Sequence, residues 1–260
     1  MSALQQLLLV WVFAAAWQGL AWAWQQRNRN AGIVDVAWAS GLAVAAVLVA
    51  VTGTGAALPR TLLGLLGGAW GLRLGWHLWQ RVRGEPEDGR YAHLRRRWGD
   101  APLKWLGMFQ FQALLIVLFS LPFVAVAGNP VPTWNGWFVA AIAVWVACVG
   151  GEAIADAQLA RFRADPRNAG KTCRAGLWRY SRHPNYFFEW LHWFAYVLLA
   201  IGAPLPWLAW AGPPVMYVFL RWISGIPWTE QQALRSRGED YARYQRTTPM
   251  LFQWFPKEER

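Results

Sequence analysis

Long apolar runs alternate with polar segments along the whole chain. Runs of about 20 residues, the length a helix needs to cross a hydrocarbon layer, fall at roughly 3–24, 32–52, 59–79, 103–127, 136–157, 187–204 and 205–222. They predict seven transmembrane helices. Within them helical periodicity says little, because lipid makes every face apolar. Gly53-Thr54-Gly55, Gly128-Asn129-Pro130 and Gly202-Ala203-Pro204 read as short turns between spans. The polar segments at roughly 80–102, 158–186 and 223–260 are longer. The pattern predicts an all-α polytopic membrane protein of one domain.

Composition excludes the competing classes. Of 260 residues, 56 % are hydrophobic and 15 % charged, with 21 tryptophans, against roughly 45–50 % and 25 % for soluble domains. Two cysteines cannot staple a chain of this length, and Cys148 and Cys173 are expected as free thiols. The net charge of +11 would suggest nucleic acid in a soluble protein. Here the Lys and Arg residues collect after the first, third, fifth and seventh spans, and the remaining loops hold Arg60 alone. That alternation predicts the N-terminus outside and the C-terminus in the cytoplasm. The charge is thus explained by topology, with no nucleic-acid partner. No Lys or Arg precedes the first run, so it reads as a retained span rather than a signal peptide despite Ala21-Trp22-Ala23.

Ionisable groups at lipid depth cost roughly 2.5–3.5 kcal/mol at a helix centre, so each needs a role. Asp35, Arg73, Glu152, Asp156 and Glu189 stand within or at the ends of spans. They either pair with one another to fix helix packing or form a site. Glu152 and Asp156 share a helix face one turn apart, with Arg163 further along it. Two such carboxylates suit a cation or a hydroxyl-rich ligand such as a ribose. The histidines His77, His93, His183 and His192 lack paired ligand spacing, so no metal is expected. Arg73, His77 and Arg81 fall at i, i+4 and i+8 and lead into the loop Arg83 to Tyr91, which includes Arg90. Fixed, bidentate guanidinium donors suit phosphate oxygens; headgroup contact by snorkelling arginines is the alternative. Neither G-x-G-x-x-G nor a P-loop is present, so a nucleotide would be held by helices and loops.

The stretch from Gly176 through Arg182-His183-Pro184-Asn185-Tyr186 to Glu189-Trp190 resembles the signature of the membrane steroid 5α-reductase family and its bacterial relatives. The stretch from Arg235 to Pro249, with Gly238-Glu239-Asp240-Tyr241, is a second similar block, and Asp35-Val36-Ala37-Trp38 and Glu87-Asp88-Gly89-Arg90-Tyr91 are two more. The resemblance implies a seven-helix protein of the bacterial inner membrane, a monomer surrounded by membrane lipids. It would bind NADPH from the cytoplasmic side and reduce the C4–C5 double bond of a 3-oxo-4-ene steroid or a similar enone lipid. Asn185 and Glu189 would then meet the nicotinamide end, and Asp156, Arg163, Lys171 and Tyr180 would line the cofactor. Arg73, Arg81 and Arg83 would meet phosphates. Glu152, His77, Arg90, Tyr91, Arg182 and Tyr186 complete the expected cofactor set.

Asp35 occupies the place where eukaryotic members carry a glutamate that helps bind the steroid ketone. The resemblance therefore implies a carboxyl kept protonated by apolar surroundings, able to donate to a ketone oxygen. The tyrosine that accompanies that acid on the third span is missing; Trp70, Trp76 and Trp79 stand there instead. Phe188 also replaces a glycine common among relatives. Two other readings remain open. Isoprenylcysteine carboxyl methyltransferases share the R-H-P-x-Y block and use S-adenosylmethionine, and a non-catalytic lipid-binding protein would explain the spans but not the ionisable groups.

Overall fold

A computed structural model describes residues 1–257; Arg260, one of the basic residues after the last run, lies outside them. Among the described residues the chain is all-α with no strand. Its helices are α1 (Ala3–Asn28), α2 (Ile33–Thr52), α3 (Ala57–Gly84), α4 (Gly89–Trp98), α5 (Pro102–Phe119), α6 (Leu121–Ala127), α7 (Gly136–Ala164), α8 (Pro184–Leu199), α9 (Gly212–Val218), α10 (Ile226–Arg237) and α11 (Glu239–Thr247). Four stretches, Ala3–Asn28, Ile33–Thr52, Pro102–Ala127 and Gly136–Ala164, are helical, long and apolar enough to cross a membrane, consistent with an integral membrane protein. The expected third span lies inside α3, which continues into the polar residues Arg81 and Arg83. At 16 residues α8 extends about 24 Å at the 1.5 Å helical rise. The seventh run differs from expectation. It is broken into a 3-10 turn (Pro206–Ala211), α9 and a π turn (Phe219–Ile223). Pro206, Pro213 and Pro214 explain the breaks, because proline can start a helical turn but not continue one.

The chain divides into two compact units, Met1–Ile142 with Tyr196–Gly212, and Ala143–Ala195 with Pro213–Arg260. In the first, α2 and α3 pack through small residues. A Cβ built on Gly71 would stand 2.7 Å from the Ala39 carbonyl oxygen and 2.9 Å from the Ala43 nitrogen, and one on Gly67 would stand 2.6 Å from the Ala46 Cβ. Apolar burial does not drive helices together in lipid, so close backbone approach must supply the dispersion contact. Buried glutamines on α1 add polar clamps: Gln6 donates to the Val49 carbonyl (3.0 Å) and Thr52 Oγ1 (3.1 Å), and Gln18 to the Val34 carbonyl (3.4 Å). Asn129, fully buried, closes a turn by donating to the Leu199 (2.8 Å) and Ile201 (3.0 Å) carbonyls.

In the second unit the segment before α8 is laced to α7. The Trp178 indole donates to the Ala155 carbonyl (2.9 Å), and the Leu177 amide donates to Gln158 Oε1 (2.9 Å). The Phe188 ring fills the notch at Gly151, where a Cβ would come within 2.6 Å of it. The Phe188 side chain is therefore consumed in α7–α8 packing. Tyr244 on α11 donates to the Trp178 and Ser181 carbonyls, which brings the C-terminal block onto the same segment.

Gly71→Ala is expected to lower unfolding stability by about 1–3 kcal/mol, because the obstructing atoms are backbone and cannot give way. Gly107→Ala, with nothing within 4 Å of the added carbon, should leave the protein unchanged or stabilise it by up to about 1 kcal/mol. Thermal scans of both variants in one detergent compare them; equal losses would contradict the close α2–α3 contact.

Candidate functional site

In the first unit Asp35, on the first turn of α2, is the centre of a charged group. Its Oδ1 accepts from the Tyr91 hydroxyl (2.7 Å) and its Oδ2 from Arg90 Nη2 (3.0 Å). Arg90 also donates through Nε to Asp88 Oδ1 (3.0 Å), and Asp88 caps α4 by accepting from the Arg90 amide (2.9 Å). Burial alone would raise the Asp88 carboxyl, but Arg90 and Arg81 hold it below its ordinary value. Burial and the neighbouring Asp35 charge push the Tyr91 phenol well above its ordinary value, so it stays a donor. Glu87 completes the assembly, accepting from the Ala31 amide (2.7 Å) and from both Nε (2.9 Å) and Nη2 (2.7 Å) of Arg95.

This arrangement corrects the expectation for Asp35. The residue is no lone carboxyl in an apolar pocket donating a proton: both of its oxygens accept, one from a guanidinium and one from a phenol. Arg90 and Tyr91, expected at the cofactor, both donate to Asp35, and Arg90 to Asp88 as well. A phenol stands next to that acid, that of Tyr91 on α4. Arg73, His77 and Arg81 lie on one continuous helix. Arg81 approaches Asp88 (3.7 Å) and Glu85 (3.6 Å), and Arg83 lies over the Trp79 ring.

In the second unit α7 carries Glu152, Asp156 and Arg163 along one face, as their spacing requires. Asn185, in the first turn of α8, donates to Asp156 Oδ1 (3.1 Å), while its own carbonyl accepts from the Tyr186 amide (3.0 Å). Two residues the sequence assigned to one cofactor thus meet side by side. Glu152 and Glu189 are both buried, and the His192 Nδ1 lies 2.6 Å from the Glu189 carbonyl. Arg163 and Lys171 are exposed. The Tyr180 ring packs edge-on against Phe255. Cys148 and Cys173 are free and buried, and among the described residues no three His, Cys, Asp or Glu side chains gather as a metal site would require.

Sequence reasoning missed Glu230. It lies on α10, where a single acid in a polar helix carries no signal, yet it gathers the signature and C-terminal blocks. Its Oε1 accepts from Arg182 Nε (2.6 Å) and lies 3.2 Å from His183 Nε2, and its Oε2 accepts from Gln245 Nε2 (2.9 Å). Arg182, expected at the cofactor, also donates through Nη1 to the Gln245 (2.9 Å) and Thr248 (2.7 Å) carbonyls. Tyr186 stacks on the His183 ring, with its hydroxyl 3.4 Å from Thr229 Oγ1. Burial would raise the Glu230 carboxyl, but hydrogen bonds from His183 and Arg182 hold it at about 2. Burial keeps His183 below its ordinary value, hence neutral.

Both shifts mean that the folded state binds fewer protons than the unfolded chain. Their stabilisation is complete above the unfolded values, 6.5 for His183 and 4.5 for Glu230, and is lost as pH falls toward the folded ones. Unfolding stability should therefore be flat above neutral pH and fall in acid, with Glu230 contributing roughly 3 kcal/mol of that loss. Chemical unfolding at several pH values checks this, with Glu230→Gln expected to flatten the curve below pH 4.5; an unchanged acid limb would contradict it.

A family model described as a protein of unknown function, DUF1295, matches residues 21–248. No curated protein and no solved structure matches the chain. With most of its length covered, the chain belongs to the DUF1295 family.

Proposed function

We propose that this chain is an NADPH-dependent reductase that reduces the carbon–carbon double bond of an enone lipid, such as a 3-oxo-4-ene steroid. In this reading seven spans cross a bacterial inner membrane, with the N-terminus outside and the cofactor side and C-terminus in the cytoplasm. The resemblance of four motif blocks to steroid 5α-reductases supports it. The observation that carries it is the pairing of Asn185 with Asp156 in the second unit.

That pair fits a dinucleotide's chemistry. A carboxylate accepts from ribose hydroxyls, and a side-chain amide offers both a donor and an acceptor to a carboxamide. Arg163 and Lys171 stand exposed on the same unit as phosphate partners. Arg90, Tyr91 and Arg182 leave the cofactor set, because their donors serve the protein. NADPH, when bound, supplies the hydride.

The chain's own residues then handle the charge that develops on the substrate's carbonyl oxygen. A donor aimed at that oxygen acts on the transition state more than on ground-state binding. Tyr91 is the hydroxyl for this task in place of Asp35. Its phenol can turn from Asp35 to a ketone oxygen without orphaning the carboxylate, because Arg90 still neutralises it. Asp35 and Arg90 position the tyrosine.

Titration of the detergent-solubilised protein should give tighter binding of NADPH than NADH, since exposed Arg163 and Lys171 offer a place for the 2′-phosphate, and Asn185→Ala should weaken it. Binding of S-adenosylmethionine with neither dinucleotide would overturn the reading in favour of a methyltransferase. Tyr91→Phe is expected to lower enone reduction by about 10²–10³-fold while NADPH affinity is retained. Normal turnover in that variant would remove Tyr91 from the chemistry.

A further inference from the structure

The second unit contains a cationic cleft that the proposed reaction does not use. Its volume is about 440 Å³, and Arg174, Arg179, Arg243 and Lys257 line it together with Thr247 and Thr248. No carboxylate is among its lining residues. Asp240 holds the first of these cations: Arg174 Nη2 donates to its Oδ1 (2.8 Å) and to its backbone carbonyl (2.7 Å), while the Thr172 amide donates to its Oδ2 (2.7 Å). One guanidinium is thereby fixed in place, and Arg179, Arg243 and Lys257 stand beside it in the lining.

The walls are built by the fold. The Lys257 amide donates to the Thr247 carbonyl (2.7 Å), and the Trp254 amide to the Tyr180 carbonyl (3.0 Å), so the tail that carries Lys257 is held at both ends. Arg179 lies 6.0 Å over the Tyr180 ring, and the Phe255 ring packs 5.7 Å from it on its edge. Four positive groups in one lining present donors in the pattern that a phosphate takes up with its oxygens.

The cleft's rim separates a lipid headgroup from a soluble phosphate. Trp254 and Phe255, immediately before Pro256 and Lys257, expose 72 % and 71 % of their surface. A soluble anion gives two large aromatic side chains nothing to bury against. The membrane–water interface does, since tryptophan settles there at headgroup level, and juxtamembrane Lys and Arg gather anionic lipids. We propose that this cleft binds the phosphate of an anionic phospholipid, with Trp254 and Phe255 entering the interface beside it. The C-terminal tail is then a lipid-reading edge, separate from the Asp156–Asn185 pair.

Native mass spectrometry of the full-length protein, titrated with short-chain phosphatidylglycerol, phosphatidylcholine, inorganic phosphate and NADPH, tests this. Phosphatidylglycerol should bind in preference to phosphatidylcholine. Arg179→Ala with Lys257→Ala should weaken it about 30-fold, from roughly fivefold for each cation, and Trp254→Ala should weaken it several-fold without affecting phosphate. Should the double variant lose its thermal transition, Lys257→Gln alone should still cost about fivefold. Equal binding of the two lipids, or undiminished phosphatidylglycerol binding in the charge variants, overturns the proposal. Displacement of the lipid by inorganic phosphate or NADPH, with Trp254→Ala silent, assigns the cleft to a soluble phosphate instead and overturns the headgroup assignment.

Discussion

A carboxylate at the end of an apolar helix must find donors, because neither lipid nor a packed interior will solvate it. The polar half of this protein is organised by that requirement. Asp35 takes a guanidinium and a phenol, Glu87 takes a guanidinium and a backbone amide, and Glu230 takes Arg182, His183 and Gln245. Each acid joins segments far apart in sequence. The segment after α3 is fastened to the start of α2 in one unit, and α10 and α11 to the segment before α8 in the other.

Such ties give motif residues two kinds of work. Arg182 and His183 belong to the most recognisable stretch of the chain, yet their side chains hold the C-terminal helices and leave Asn185, next in line, to face Asp156. Arg90 and Asp35 likewise hold Tyr91, whose hydroxyl is the one group of that trio able to turn elsewhere. In both places a charged pair sets the position of a neighbouring uncharged donor. The division is chemically sensible: buried ions are costly to leave unpaired, whereas an amide or a phenol changes partners at lower cost.

The apolar pattern announced the helices, because run length and charge gaps are local properties. It placed α1, α2 and α7 closely and did not foresee the breaks at 205–222, where Pro213 and Pro214 begin a fresh turn inside an apolar run. The Glu152–Asp156 face was legible from spacing alone, and Asp156 with Asn185 from the motif that contains the latter. Asp35 was legible as important but not in its role, since its partners lie 55 and 56 positions away and no local pattern records such pairings. Glu230 was invisible for the same reason. Tyr91, expected from the sequence at the cofactor, stands against Asp35, a pairing hidden for the same reason.

A double-mutant cycle on Asp35→Asn and Arg90→Met, read by chemical unfolding in detergent, addresses most directly whether these acids act as acceptors that tie the polar segments to the helices. If they do, the two changes couple by roughly 1–3 kcal/mol, the range for residues in direct contact. Losses that simply add would mean that Asp35 and Arg90 do not support one another, and would contradict the account.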